Sequence, residues 1–120
     1  MSIGRFTAGF LVVFVFSILS VGCHRSPPLT RQEAEGKRLY EARCAHCHKE
    51  NDLALKKVPP HLQGIFQKAT LPSGAPANDA EVRRVVLFGK GMMPSFNGRF
   101  DDAQMAALVA YLHTGPRRSP

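Results

Sequence analysis

Apolar positions along this chain fall into runs of different character. One positive charge, Arg5, precedes an almost unbroken apolar run from Phe6 to Val21. That run has the length of a signal-peptide core and is short for a stable membrane span. A polar, proline-containing stretch from His24 to Leu29 follows, too poor in apolar residues to pack. Thr30, with Glu33 three residues later, then reads as a capping box, predicting a helix from about Arg31 to Arg43 with Leu39 and Tyr40 on its buried side. Glu35, Lys37, Arg38 and Glu41 occupy its solvated positions. Gly36 inside it costs about 1 kcal/mol relative to alanine, a cost that marks a close helix crossing.

Between Lys49 and Pro76 no long period exists, and prolines and glycines punctuate the chain. Asn78 and Glu81 form a second cap, and Val82, Val85, Val86 and Gly89 recur at helical spacing, giving a helix from Asp79 to about Phe88 that stops at Gly89. Asp101 and Gln104 cap a last helix, in which Met105, Leu108, Val109 and Leu112 share a face until Gly115-Pro116 ends it. The pattern predicts an all-α domain, a small helical fold of three main helices and one or two short ones. It spans residues 30–114, with 115–120 a disordered tail.

The chemistry sits at the end of the first helix, in Cys44-Ala45-His46-Cys47-His48. This C-x-x-C-H spacing is that of covalent haem c attachment. On one helical turn each thiol can form a thioether to a haem vinyl group, with His48 beneath the iron as proximal ligand. His46, between the cysteines, points away and is exposed. Half of a zinc site or a redox-active dithiol would use the same cysteine pair. Zinc usually needs a second ligand cluster and a thioredoxin-like dithiol a βαβ setting, and the sequence offers neither.

A flat apolar ring needs a loop-rich wrapping, and Val58-Pro59-Pro60-His61-Leu62-Gln63-Gly64-Ile65 is its informative part. The Pro60 carbonyl can accept a hydrogen bond from the far nitrogen of His48, fixing the ring and raising its basicity. Leu62, Ile65 and Phe66 would cover the haem. His61 reads as an exposed or hydrogen-bonded histidine, with axial ligation the lesser alternative. Across the ring, Met92 and Met93 lie in a loop bounded by Gly89, Gly91 and Pro94, outside any helical stripe. A thioether is a soft, neutral ligand that favours ferrous iron, whereas Met105 on the last helix reads as core.

Charge and cysteine usage add a setting. The 120 residues carry a formal charge of +7 at neutral pH, and no basic stretch is interleaved with aromatics. That favours acidic protein partners or an anionic membrane surface and excludes nucleic acid. Lys56, Lys57, Lys68 and Lys90 would border the haem and steer such a partner. The third cysteine, Cys23, closes Leu19-Ser20-Val21-Gly22-Cys23, which resembles a bacterial lipobox, with Ser20 where that pattern prefers Leu, Val or Ile. The resemblance implies a signal peptide over residues 1–22, lipidation at Cys23, a tether over 23–29, and a place on the periplasmic side of a bacterial envelope, held to the membrane by the lipid. Plain secretion and an uncleaved anchor are the alternatives.

From Thr30 to His113 the chain resembles a class I mono-haem c-type cytochrome. Gly36, Tyr40, Cys44, Cys47, His48, Pro60-His61-Leu62-Gln63-Gly64 and Gly89-x-Gly-x-Met93-Pro94 all fall at the family's spacing. The resemblance implies that the last helix crosses the first through Leu108 and Tyr111, and that the methionine directly before proline, Met93, is the distal ligand. It further implies a one-electron carrier rather than an independent enzyme, passing electrons between a donor and an acceptor protein. A haem c subunit of a larger membrane-associated oxidoreductase is the main alternative, and an open-site haem enzyme or sensor the other.

Overall fold

The computed structural model describes residues 27–49 and 53–116. The signal segment, Cys23 and the start of the tether lie outside the described residues, as do 117–120. In order the elements are α1 (Arg31–Arg43), α2 (Ala45–His48), a 3-10 helix (Ile65–Gln67), α3 (Asp79–Phe88) and α4 (Asp102–His113). No strand is present among the described residues; pairing is confined to isolated bridges, Thr70 with Pro76 and Lys90 with Met93. None of their helices is long and apolar enough to cross a membrane.

The caps largely form as the sequence predicts. Thr30 Oγ1 accepts from the Glu33 N–H at 3.2 Å while the Glu33 carboxylate accepts from the Thr30 N–H at 2.7 Å. Asp101 and Gln104 exchange the same two bonds at 2.7 and 3.1 Å. At α3 only half of the expected box closes. Asn78 accepts from the Glu81 N–H at 2.9 Å, but the Glu81 carboxylate turns to the Arg84 guanidinium at 2.8 Å. A charged donor one turn along outcompetes the neutral amide behind it.

Gly36 sets the spacing of the central crossing. A Cβ there would run into the Ala107 carbonyl oxygen and approach Tyr111 Cβ to 2.8 Å, so α1 and α4 touch backbone to backbone. Around that contact Leu39, Tyr40, Met105, Leu108, Val109, Tyr111 and Leu112 are buried, Leu108 most completely at 1% exposure. The rings of Tyr40 and Tyr111 meet at 5.5 Å, tilted by 56°. The segment without periodicity is not shapeless: bonds from Leu71 N–H to Ala75 O at 2.8 Å and Ala77 N–H to Ala69 O at 3.1 Å close a turn that buries Leu71.

One feature departs from the sequence reading and a second has no counterpart in it. The packed chain continues past residue 114: Gly115 adopts a left-handed φ of +69°, and Pro116 is buried. The assignment of these two residues to a disordered tail is therefore corrected. The second concerns the end of α4. His113 Nε2 lies 2.8 Å from Asp79 Oδ1 at the start of α3, and its ring stacks on Phe66 at 3.8 Å. The pair joins the first turn of α3, where the helix dipole favours an acidic side chain, to the last residue of α4.

Candidate functional site

The Cys44–His48 motif is built by interrupting a helix. The Cys44 N–H still bonds the Tyr40 carbonyl at 2.8 Å, ending α1, and the Cys44 carbonyl receives the N–H groups of Cys47 at 3.2 Å and His48 at 2.9 Å, starting α2. Cys44 thus caps both helices, and both thiols and the imidazole project from one turn. Ala45, between them in sequence, is buried in the core, while His46 is exposed. Both thiols are free and half-buried.

The loop that follows orients the imidazole. His48 Nδ1–H donates to the Pro60 carbonyl at 2.8 Å, leaving Nε2 with its lone pair free to ligate a metal. His61, exposed, donates from Nδ1 to the His48 carbonyl at 3.2 Å. That bond ties the loop to α2 from the other direction and commits His61 to backbone, as its hydrogen-bonded reading expects. Ile65 is buried, and Leu62 and Phe66 pack half-buried against the same core.

The second, methionine-bearing segment is the loop after α3. Lys90 and Met93 exchange backbone bonds at 3.1 and 3.0 Å. Gly89, at φ +73°, runs so close beneath that a Cβ would stand 2.5 Å from the Met93 carbonyl oxygen. The two methionines part company here. Met92 is 62% exposed, whereas Met93 is partly buried and packs against the core, as do Phe96 and Phe100. Sequence reasoning did not single out Ser95, whose hydroxyl donates to the Leu87 carbonyl at 2.5 Å and accepts from the Asn97 N–H at 3.2 Å. No pattern announces such a residue, because the need of a helix end for a donor is set by how the chain returns. The expected steering lysines, Lys56, Lys57, Lys68 and Lys90, are all exposed.

The donor set discriminates among the chemistries open to the cysteine pair. Burial, with the second thiol's charge behind it, pushes the free Cys44 thiol up to about 12. A redox-active dithiol needs the opposite, a thiol made acidic by positive surroundings. Among the described residues no three side chains of the histidine, cysteine or acidic types converge on a metal position, so a zinc site finds no ligand set there. A half-buried thiol pair, an imidazole with a free Nε2 and a thioether at an apolar wall fit a covalent haem.

Residues 31–112 match the family described as "Cytochrome C oxidase, cbb3-type, subunit III". A cytochrome c6 of Tetradesmus obliquus is 35% identical over 81 residues, covering 67% of this chain and 86% of its own length. A Picosynechococcus cytochrome c6 is 26% identical over 104 residues, 85% of this chain and 89% of the relative. The cbb3-type cytochrome c oxidase subunit CcoP of Azospirillum brasilense is 32% identical over 89 residues, which take up 66% of this chain but 27% of that protein.

Proposed function

From the premise that this chain belongs to the c-type cytochrome family, carries one covalent haem c and serves as an electron carrier, we propose that Cys44 and Cys47 hold the haem, His48 Nε2 is the proximal ligand and Met93 the distal one. When bound, the haem supplies a one-electron couple. The residues around it attach, orient and insulate. The bond from His48 Nδ1–H to the Pro60 carbonyl at 2.8 Å carries this reading, since it selects the tautomer a ligating imidazole needs and fixes the ring's orientation. The inward packing of Met93 and the exposure of Met92 support the distal assignment.

The protein as isolated tests it. Met93→Ala should abolish the weak far-red sulfur-to-iron band of the oxidised form and let the reduced form bind carbon monoxide, while Met92→Leu should leave both unchanged. Rapid carbon monoxide binding by the reduced wild type would instead establish an open-site haem protein.

The setting extends the proposal. Residues 1–22 act as a signal peptide, Cys23 carries lipid, 23–29 form the tether, and the domain works on the periplasmic side of a bacterial envelope. Anchoring of that strength takes more than one acyl chain. A membrane-extracted mature protein whose intact mass lacks acyl groups would dispose of it. Lys56, Lys57, Lys68 and Lys90 favour an acidic redox partner. The match to an oxidase subunit family over residues 31–112 gives the second reading, a haem c subunit held beside a catalytic partner.

A further inference from the structure

The carbonyls of the last turn of a helix have no partner within the helix. At the end of α3 the chain that bears Met93 supplies them. Gly89 N–H takes the Val85 carbonyl at 2.8 Å, Phe96 N–H takes Val86 at 3.0 Å, and the Ser95 hydroxyl takes Leu87 at 2.5 Å. The loop is therefore the C-terminal cap of α3, and Met93 hangs between two anchors on one helix end, Gly89 on one side and Ser95-Phe96 on the other. Two of the three donors are backbone groups that almost any residue provides. The third is a side chain, committed at once as donor to Leu87 and as acceptor from Asn97 at 3.2 Å.

We propose that Ser95 is a positioning residue for Met93: its hydroxyl ties the loop to α3 and so sets how often the thioether leaves its place. This rests on Met93 being the distal ligand. Without the hydroxyl the free segment lengthens toward Phe96, and excursions of Met93 become more frequent. One ordinary hydrogen bond at an exposed position shifts such an equilibrium by roughly fivefold. It does not abolish ligation, because the Phe96 anchor and the Lys90–Met93 bridge remain.

Imidazole binding to the oxidised holoprotein reads this equilibrium directly. An added ligand takes only the form from which methionine has left, so its apparent affinity scales with that fraction. Ser95→Ala and Ser95→Val should each bind imidazole roughly fivefold more tightly than wild type. Ser95→Thr, which keeps the hydroxyl on the shape of valine, should return to the wild-type affinity. If the alanine and valine variants bind with wild-type affinity, Ser95 merely caps the helix and the proposal is overturned, even where their unfolding midpoints fall. A threonine variant indistinguishable from valine overturns it as well. Met93→Ala serves as the reference: were its imidazole affinity no higher than wild type, the ligand assignment itself would fail, a result separable from failure at Ser95.

Discussion

The two sides of the site are held by different means. On the histidine side, Cys44 ends α1 and begins α2 through a shared carbonyl, and the imidazole is fixed from outside by Pro60. Its foundation is the buried crossing of α1 and α4. On the methionine side nothing regular carries the ligand: a loop of largely exposed residues is pinned to the end of α3 by a few hydrogen bonds. A ligand on a helix rooted in the core moves only if the core does. One on a cap moves whenever the cap frays, so under the proposed ligation His48 would be the permanent ligand and Met93 the one whose hold is tunable.

The contrast is broken most forcefully at Gly36. Alanine there would gain about 1 kcal/mol of helix propensity, but its Cβ would collide with the Ala107 backbone and crowd Tyr111. Neither obstacle can rotate away, so separation of α1 from α4 wins. Gly36→Ala should lose about 3 kcal/mol or more by chemical denaturation, with the aromatic pair of Tyr40 and Tyr111 disrupted. A variant as stable as wild type would show that the crossing yields, and the histidine side would have no rigid root.

Gly89→Ala sharpens the contrast from the opposite side. Here the strain is a left-handed backbone at φ +73° and a Cβ 2.5 Å from the Met93 carbonyl oxygen. The backbone cost is about 1–2 kcal/mol, and the loop can shift to relieve the collision. The variant should keep most of its stability and its thioether-bound haem yet lose much of the far-red band in the oxidised form. Parallel losses of band and global stability would mean that both sides share one foundation.

The same division governs what was legible in the sequence. The helices, two complete capping boxes, the Gly36 crossing and the bond from His48 to Pro60 could be read because each is a local pattern or a chemical need of a named residue. The Asn78 cap was legible, whereas the burial of Pro116 and the diversion of Glu81 to Arg84 were not, because burial of a chain end and competition from a neighbouring charge depend on what lies nearby. Ser95, the Phe66–His113 stack and the His113–Asp79 pair join residues that no period connects. The methionine loop was legible as a loop, but the bonds that pin it were not, since its partners belong to a helix end whose orientation only the fold defines.

The smallest predicted effect tests how far the histidine side depends on its outermost turn. The Thr30 backbone N–H, and after it the Thr30 side chain, hold the Glu33 carboxyl below its ordinary value of 4.5. A carboxylate lowered in the folded state binds protons more readily once unfolded, so its stabilisation is complete above the ordinary value and fades as pH falls below it. Glu33→Gln keeps an acceptor for the Thr30 N–H and removes only the charge. Wild type should therefore be slightly more stable than the variant at neutral pH, with a shift in denaturation midpoint smaller than that of Gly89→Ala, and the gap should close as pH drops through the carboxylate range. Glu35, lowered by its bond to Arg38, titrates in both proteins and cancels from the difference. Thr30→Ala, which removes one half of the box, should cost about 1 kcal/mol and leave the far-red band intact, because the cap lies a full helix away from Cys44. A gap that persisted unchanged into strong acid would mean that Glu33 acts through shape rather than ionisation, and a band that weakened with Thr30→Ala would mean that fraying at the start of α1 reaches the iron.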